Sequence, residues 1–491
     1  MKFISKKTIL KLKNNDTVAI FISDKSLKNI LKEIPAELLN ILKDIDFSFF
    51  KAKNSEIMFI PFSGKPNIIL CGVGKSKELD SEALRNAASA VTNVSMERAV
   101  KNLHVIVSKF DKLEDEDVIK SIGEGLYLSN YSFSKYKSKD DESKKTMLSS
   151  AVFYSNLKGA SSILRDVEII SKNTLLCRDL INETSDNCNP ESFSREASKM
   201  SKLYGTSCKI YNKNEIKKMG MGLLLAVNRG STIPPRLIVL KYNGNPKSKK
   251  YFAVVGKGLT FDSGGMNLKP SGHLETMRMD MSGGAAALYT IKAASDLKLK
   301  KNIYSIIPLT ENMLSNDAYR PGDVFKSYNG KTVEIGNTDA EGRLILADAL
   351  SFTESKLKPE VIVDVATLTG SCVAAFGETV AGLLSSDEVL ARLIEMSAEK
   401  TGEKIWRLPL YDEYKECIKS DIADIVNISS DRNAGAIIGA IFLKNFIKKT
   451  KWAHIDIAGT AWYSKKRGYR PKNATGYGVR LLVDVIRNWK G

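Results

Sequence analysis

The sequence predicts an α/β protein of two domains. The chain has 491 residues, which is enough for two or three domains that each bury a core. Short apolar, β-branched runs alternate with segments of helical periodicity, a pattern typical of a mainly parallel sheet covered by helices on both faces. We therefore expect an N-terminal α/β domain over residues 1–155, a linking helix over 156–183, and a larger α/β domain with a mainly parallel central sheet over 184–491.

Four runs in the first domain have strand character and two have helical periodicity. The strands are predicted at Thr17–Ile22, Ile57–Phe62, Asn67–Cys71 and Asn102–Val107, and the helices at Ser81–Val100 and Asp117–Ser134. The segment Lys135–Lys145 has almost no apolar side chain to bury, so we expect an exposed loop there, near the domain boundary.

A long helical pattern over Lys158–Ile181 leads into the second domain, where strand-like runs recur between helical ones. The strands are predicted at Leu237–Tyr242, Tyr251–Val255, Tyr304–Pro308, Val361–Ala366 and Trp452–Ile457. Charged motifs follow some of these runs directly. They should lie at the carboxyl ends of the strands, where open α/β sheets bind their ligands.

Composition excludes several classes of protein. No apolar run approaches the roughly 18 residues that a membrane span needs. The N-terminus lacks an apolar core and a cleavage site for secretion, so we expect a cytoplasmic protein. The six cysteines form no C-x-x-C pair and are expected to be reduced, mostly buried thiols. With only three histidines, histidine-ligated zinc sites and serine or cysteine triads are disfavoured.

Two charged motifs carry most of the functional information. Asn337-Thr338-Asp339-Ala340-Glu341-Gly342-Arg343-Leu344 places two carboxylates and a guanidinium on alternate residues before a helical pattern. A glycine-rich bend over 256–265 contains Lys257 and Asp262, and Lys269 and Asp280 follow it. Four carboxylates packed together would repel each other, whereas a pair of divalent ions turns that repulsion into binding. The alternative is that the carboxylates never meet and remain solvated surface charges.

Both motifs resemble the signatures of the leucyl (cytosol) aminopeptidase family. Residues 256–265, Gly-Lys-Gly-Leu-Thr-Phe-Asp-Ser-Gly-Gly, are similar to one signature of the family. Residues 337–344 are similar to the other. Two long matches in the right order and spacing are a specific signal. The resemblance extends from about Thr174 to the C-terminus. It implies a macro-domain-like N-terminal α/β domain followed by a catalytic α/β domain.

The family resemblance also implies an activity and its cofactors. We expect a metal-dependent aminopeptidase that releases N-terminal residues, preferably leucine and other apolar ones, by attack of a metal-bridging hydroxide. Two divalent ions per subunit, Mn²⁺ or Zn²⁺, are implied, together with a bicarbonate ion. The resemblance further implies a homohexamer that acts on peptide substrates.

Each site residue takes a role from the resemblance. One ion would be held by Lys257, Asp262, Asp280 and Glu341, and the other by Asp262, Asp339 and Glu341, with the main-chain carbonyl of Asp339 contributing. A lysine can bind a metal only when neutral, which an adjacent dication would enforce. The alternative for Lys257 is an ion pair with Asp262.

Lys269 and Arg343 are expected to be the catalytic residues. The resemblance places Lys269 as a donor to the developing oxyanion and Arg343 as the holder of the bicarbonate. The alternatives are a solvated loop lysine and a salt bridge from Arg343 to Glu341. Candidates for the first side-chain pocket are Met277, Thr367, Leu368, Gly370 and Ala461, although Met277 and Leu368 could equally be core residues. His273 is expected on the surface.

Two other functions stay open at this point. A binuclear phosphoesterase would use similar carboxylates, but most such sites also use histidines. The formal net charge of +18 invites a nucleic-acid interpretation, and some members of the resembled family double as DNA-binding accessory proteins. The lysines are spread along the chain, with small groups such as Lys448, Lys449 and Lys451, so a solvated surface is favoured over nucleic-acid binding.

Overall fold

The computed structural model describes residues 1–7, 12–27, 38, 42, 45–138, 146–204, 206–429 and 433–490. Contacts divide the chain into two compact units. One comprises Met1–Leu175 and Lys465–Lys472, and the other comprises Leu176–Ser464 and Asn473–Gly491. No helix among the described residues combines the length and apolar character that crossing a bilayer requires.

The first unit is built on a sheet of six strands. In spatial order they are Lys2–Lys6, Ser150–Tyr154, Asn102–Ile106, Thr17–Ser23, Asn67–Gly74 and Ile57–Ile60. All neighbours pair in parallel except the last two, which are antiparallel. The four strands expected from the sequence are confirmed with small shifts at their ends. The two strands at the Lys2 edge were not predicted.

Helices cover this sheet at Asp24–Leu27, Ser81–Glu97 and Asp115–Ser129. A further helix, Ala160–Asn182, contains the division between the two units, which falls after Leu175. The Ser81 helix begins there because the Asp80 side chain accepts a hydrogen bond from the Ala83 N–H. Both predicted helices are confirmed, each ending several residues earlier than expected. Of the predicted loop Lys135–Lys145, residues 135–138 are described and non-helical, and the rest lies outside the described residues.

The second unit is built on a sheet of nine strands. Eight follow the spatial order Ile405–Arg407, Ala381–Ser385, Lys451–Asp456, Val361–Ala366, Phe252–Gly256, Asn302–Asn312, Arg236–Asn243 and Ser207–Tyr211. The ninth, Gly258–Asp262, pairs in parallel with the end of Asn302–Asn312. The four central strands are parallel, and antiparallel strands flank them on both sides. The mainly parallel sheet is confirmed.

Apolar clusters on the two faces of this sheet form the core. Helices in this unit are Pro190–Tyr204, Lys213–Lys218, Gly222–Val227, Ser282–Asp296, Gly342–Phe352, Gly370–Phe376, Glu388–Thr401, Gly435–Lys444 and Val479–Asn488. Short helical turns occur at Asn228–Gly230, Met277–Met281, Thr353–Leu357 and Asp412–Ile418, and short strands at Val324–Lys326, Thr332–Glu334, Ile425–Val426, Trp462–Tyr463 and Asn473–Ala474. The helix Ser282–Asp296 packs on one face and Gly342–Phe352 on the other, so the sheet is covered on both sides as expected.

The strand ends deliver the charged motifs to one edge of the sheet. Lys257 follows Phe252–Gly256, Asp262 ends the ninth strand, and Thr367 follows Val361–Ala366. Because parallel strands share the direction of their carboxyl ends, these residues meet at the edge where ligands bind in open α/β sheets.

Candidate metal centre

Three carboxylates converge at this edge. Oxygen atoms of Asp262, Asp280 and Glu341 lie within 4.8 Å of one another. The three residues are 2%, 4% and 2% exposed, so water cannot screen their mutual repulsion. Burial, followed by the charges of Glu341 and Asp280, raises the pKa of Asp262 well above its ordinary value. Burial raises the pKa of Asp280 to about 6.

The Lys257 ammonium lies among these carboxylates. Its Nζ is 2.8 Å from Asp280 Oδ1 and 2.9 Å from Glu341 Oε1, and it donates to the Thr367 carbonyl at 2.9 Å. Burial alone would lower the pKa of Lys257, but the attraction of Asp280, Glu341 and Asp262 raises it above its ordinary value. The sequence-based alternative, an ion pair between Lys257 and Asp262, is therefore replaced by pairs with two other carboxylates.

Lys269 joins the fourth carboxylate to the cluster. Its Nζ lies 2.7 Å from Asp262 Oδ2 and 2.5 Å from Asp339 Oδ1. The Lys269 side chain is 14% exposed, so the alternative of a solvated loop lysine is wrong. The Asp339 side chain is 35% exposed, and the cluster therefore opens to solvent on that side.

The donor set fits divalent cations. Glu341 Oε2 is buried without a hydrogen-bond partner, although a carboxylate oxygen in a dry site needs a donor or a cation. Within the described ranges, the grouped potential ligands are carboxylates only, which are hard donors suited to Mn²⁺, Mg²⁺ or Zn²⁺. With Lys257 and Lys269 both charged, two of the four negative charges remain uncompensated, a deficit that divalent cations would remove.

Glycines in both motifs permit this close packing. A Cβ on Gly342 would lie 2.6 Å from Lys257 Nζ, so any side chain there would displace the lysine. Gly264 has φ +87°, and its Cβ would lie 2.4 Å from the Asn267 carbonyl oxygen. The Gly264 N–H instead donates to Asp262 Oδ1 at 2.8 Å and fixes that carboxylate.

Asn427 holds the loop that carries Asp339. Its Oδ1 accepts from the Gly336 N–H at 2.8 Å, and its Nδ2 donates to the Asn337 carbonyl at 2.7 Å. Glu341 then occupies the position just before the helix Gly342–Phe352, where the helix dipole stabilises a negative charge.

Arg343 is buried beside this loop. Its Nη1 donates to the Asn427 carbonyl at 2.7 Å, while its Nε is buried without a partner. Burial lowers the pKa of Arg343 to about 10. Among the described residues no ion pair joins Arg343 to Glu341, so the helix-start salt bridge is not formed, and the guanidinium keeps unused donors.

The five candidates for the side-chain pocket differ in their surroundings. Thr367 Oγ1 donates to Asp280 Oδ1 at 2.7 Å, and Leu368 N–H donates to Asp456 Oδ1 at 3.1 Å. Met277 is half-buried at the start of the turn that carries Asp280, Gly370 is exposed, and Ala461 is 1% exposed in the core. The Arg278 guanidinium lies 5.2 Å from the centre of the Trp462 ring, which brings the segments of Met277 and Ala461 together. Their role as a pocket stays a prediction.

The histidines lie outside the cluster. His273 is exposed, which confirms its expected surface position. His454 is buried and pairs through Nδ1 with Asp364 Oδ1 at 2.6 Å. His104 Nδ1 lies 2.8 Å from the Tyr154 hydroxyl in the first unit. Four of the six cysteines are buried, and burial raises the pKa of the Cys71 and Cys177 thiols.

Sequence reasoning missed the polar residues that hold the site in place. Asn312 donates to Asp262, Asn427 holds the Asp339 loop, and Asp456 accepts from the Thr369 hydroxyl at 2.6 Å. Asn312 and Asp456 each end a strand of the central sheet. That position was the available signal, but the strand predicted at Tyr304–Pro308 stopped four residues before Asn312.

Comparison with known families places both units. Residues 175–483 match the sequence model described as "Cytosol aminopeptidase family, catalytic domain". Residues 21–140 match the one described as "Cytosol aminopeptidase family, N-terminal domain".

Individual relatives match over most of their length. A protein of Protochlamydia amoebophila named "Probable cytosol aminopeptidase" is 43% identical over 443 residues, covering 89% of this chain and 89% of the relative. One of the same name from Chlorobaculum tepidum is 41% identical over 498 residues, covering 97% and 98%.

Solved structures show the same fold. The "Bottromycin maturation enzyme BotP in complex with Mn" superposes with a TM-score of 0.86 at 29% identity, covering 96% of this chain and 99% of that one.

Proposed function

This chain belongs to the cytosol aminopeptidase family and is a metal-dependent aminopeptidase; from that premise we propose that two divalent ions are held by Lys257, Asp262, Asp280, Asp339 and Glu341. The observation that carries the proposal is the buried convergence of Asp262, Asp280 and Glu341, with Asp339 linked to them through Lys269. The family assignment disfavours the phosphoesterase alternative.

The family resemblance supplies the ligand allocation that we propose. Asp262 and Glu341 are the carboxylates to share between the ions. Asp280 and a neutral Lys257 complete one ion's ligands, and Asp339 completes those of the other. Lys257 is now an ammonium paired with Asp280 and Glu341, so binding of the first ion must release its proton.

Mn²⁺ and Zn²⁺ are the ions that we propose. The similar structure described as a complex with Mn supports Mn²⁺, and the all-oxygen carboxylates with one amine are compatible with either ion. When bound, the ions supply a water of lowered pKa, polarise the scissile carbonyl and bind the free α-amino group of the peptide.

Lys269 and Arg343 then act on the reacting peptide. Lys269 is a cation on a flexible stem at the open side of the cluster, so it can donate to the oxygen that becomes negative during attack. Arg343 offers a planar fork with an unpartnered Nε, which suits a planar anion such as bicarbonate. A bicarbonate held there would accept the proton that the attacking water loses.

Substrate preference and assembly complete the proposal. Thr367 and Leu368 directly follow the strand Val361–Ala366 beside Asp280, which supports a first side-chain pocket built from Met277, Thr367, Leu368, Gly370 and Ala461 that prefers leucine. A cytoplasmic homohexamer acting on peptides is the assembly we propose. Nucleic-acid binding is not favoured, since the lysines are spread along the chain in small groups.

The test uses three chromogenic substrates side by side: a leucyl anilide, its N-acetylated form and a phosphate ester. We expect hydrolysis of the leucyl anilide alone, because the site requires a free α-amino group. Chelation should abolish this activity, and Mn²⁺ or Zn²⁺ should restore it. Full activity in thoroughly metal-stripped protein, or equal hydrolysis of the N-acetylated substrate, would reject the proposal.

A further inference from the structure

Asn312 is a fully buried polar residue that the proposed mechanism leaves without a role. It ends the strand Asn302–Asn312 and is 0% exposed. Its Nδ2 donates to Asp262 Oδ1 at 2.8 Å and to the Thr338 carbonyl at 3.0 Å. Both amide hydrogens are therefore used, one on a carboxylate at a strand end and one on the backbone directly before Asp339.

The orientation of this amide follows from its partners. If Oδ1 and Nδ2 were exchanged, an amide oxygen would face two acceptors, the Asp262 carboxylate and the Thr338 carbonyl. Oδ1 itself is buried without a partner and points toward Gly265, whose Cβ would lie only 2.8 Å from it. In this orientation the Asn312 Oδ1 stays without a hydrogen bond, while Nδ2 donates to both Asp262 and Thr338.

Thr338 is held from several other directions. The Tyr319 hydroxyl, 1% exposed as a residue, donates to the Thr338 carbonyl at 2.7 Å. The Thr338 N–H donates to Asn267 Oδ1 at 2.8 Å, and the Thr338 hydroxyl donates to the Gly264 carbonyl at 2.6 Å. Asn312 and Gly264 both connect this network to Asp262, Gly264 through its backbone N–H and Asn312 through its side chain.

We propose that Asn312 is a positioning residue that sets the separation between Asp262 and Asp339, and so governs affinity for the ion that these two carboxylates share. The inference rests on the ligand allocation proposed above. Partners of this kind orient metal ligands, and their loss typically costs 10–100-fold in affinity. Asp280 and Lys257, which serve only the other ion, have no hydrogen bond with Asn312 among the described residues. Because Asp262 ligates both ions whereas Asp339 ligates only one, loss of the amide should weaken the ion at Asp339 much more than the ion at Asp280.

The experiment is equilibrium Mn²⁺ binding to metal-stripped full-length protein. Asn312→Leu keeps the branched shape and removes both donors. The wild type should bind two ions per subunit. The variant should bind the second ion, the one at Asp339, roughly 10–100-fold more weakly, and the first ion, the one at Asp280, should lose clearly less affinity. Equal weakening of both ions, or two unchanged affinities, would overturn the inference.

Asn228 provides a matched control. It is 1% exposed, its Nδ2 donates to the Ile233 carbonyl at 2.8 Å and to Thr310 Oγ1 at 3.1 Å, and its Oδ1 also lacks a partner. Asn228→Leu removes an equivalent buried amide that bonds no metal-cluster carboxylate. We expect both Mn²⁺ affinities to be unchanged, and selective loss of the second ion in this variant as well would overturn the inference.

If Asn312→Leu does not fold, Tyr319→Phe provides a second test of the inference. This substitution removes one donor to the Thr338 carbonyl and leaves Asn312 in place. The second ion alone should weaken, by less than the roughly 10–100-fold expected for Asn312→Leu. No change, or equal loss of both ions, would contradict the inference. A wild type that binds fewer than two ions would instead reject the dinuclear centre itself.

Discussion

Replacing Lys269 with methionine should change turnover and metal affinity in opposite directions. The Lys269 ammonium contacts Asp262 and Asp339 at 2.7 and 2.5 Å. Burial would lower its pKa, but Asp262, Glu341 and Asp339 raise it above its ordinary value, so the group is charged. It is therefore a cation that competes with a metal ion for the same two carboxylates, and in the proposed mechanism it also donates to the reacting carbonyl.

The two magnitudes come from separate physical effects. Removing one donor to a developing oxyanion typically lowers kcat about 10²–10³-fold, or about 2.7–4 kcal/mol. Unit charges 4 Å apart interact by about 4 kcal/mol at an effective dielectric constant near 20. Removing the Lys269 charge removes its repulsion of the metal ion, which is worth up to about 4 kcal/mol for each positive charge of the ion. Mn²⁺ should therefore bind at least about tenfold more tightly, an increment of about 1.4 kcal/mol.

The assay measures kcat for leucyl anilide at saturating Mn²⁺ and, separately, Mn²⁺ binding to the stripped protein. Lys250→Met is the matched control, because Lys250 Nζ lies 3.4 Å from Glu360 on an exposed surface. Both parameters should stay unchanged in that control. If Lys269→Met has nearly normal kcat, the lysine is not the donor. If kcat and metal affinity fall together, it serves only to hold the loop.

Four further predictions concern other parts of the account. Glu341→Gln should bind fewer than two ions and lose more activity than Lys257→Arg, as elemental analysis and turnover can check; two ions with normal turnover would refute the shared-ligand role. Arg343→Ala should lower kcat about 10²–10⁴-fold with little change in KM or metal content, and bicarbonate should stimulate only the wild type; loss of metal would make Arg343 structural. Burial raises the pKa of Asp348 to about 7, so the folded state holds the proton of this carboxyl more tightly than the unfolded state does, and the stability that Asp348 contributes falls as pH rises from about 4 to 7. Urea unfolding should show that the wild type loses about 3 kcal/mol of unfolding free energy relative to Asp348→Asn between pH 5 and 8. Parallel plots of unfolding free energy against pH for the two proteins would contradict this. Light scattering should give about six times the 54.2 kDa chain mass, and a fully active monomer would count against the hexamer.

Local sequence patterns were sufficient for the framework of the second unit. The run Val361–Ala366 is a strand with the predicted bounds, because five apolar residues and one buried aspartate suit the interior of a parallel sheet. The two charged motifs also indicated which carboxylates would converge. Glycines such as Gly342 admit the lysine where any side chain would collide with it.

Contacts between distant segments could not be foreseen in the same way. Lys257 directly precedes the strand Gly258–Asp262, and Asp262 is the last residue of that strand. Asp280 arrives from a later turn and pairs with Lys257 instead. The strand-end position of Asn312 did not identify its partners, since Asp262 and Thr338 lie 50 and 26 residues away in the chain. Domain boundaries at 155 and 183, and the individual roles of the site residues, stay predictions.

Crystals grown with Mn²⁺ and measured for anomalous scattering would test the dinuclear centre most directly. We expect two anomalous peaks per subunit among the oxygens of Asp262, Asp280, Asp339 and Glu341. Lys257 Nζ should have changed from an ion-pair partner of Asp280 into a ligand of one ion. A single peak, or peaks elsewhere with Lys257 still paired to Asp280 and Glu341, would contradict it.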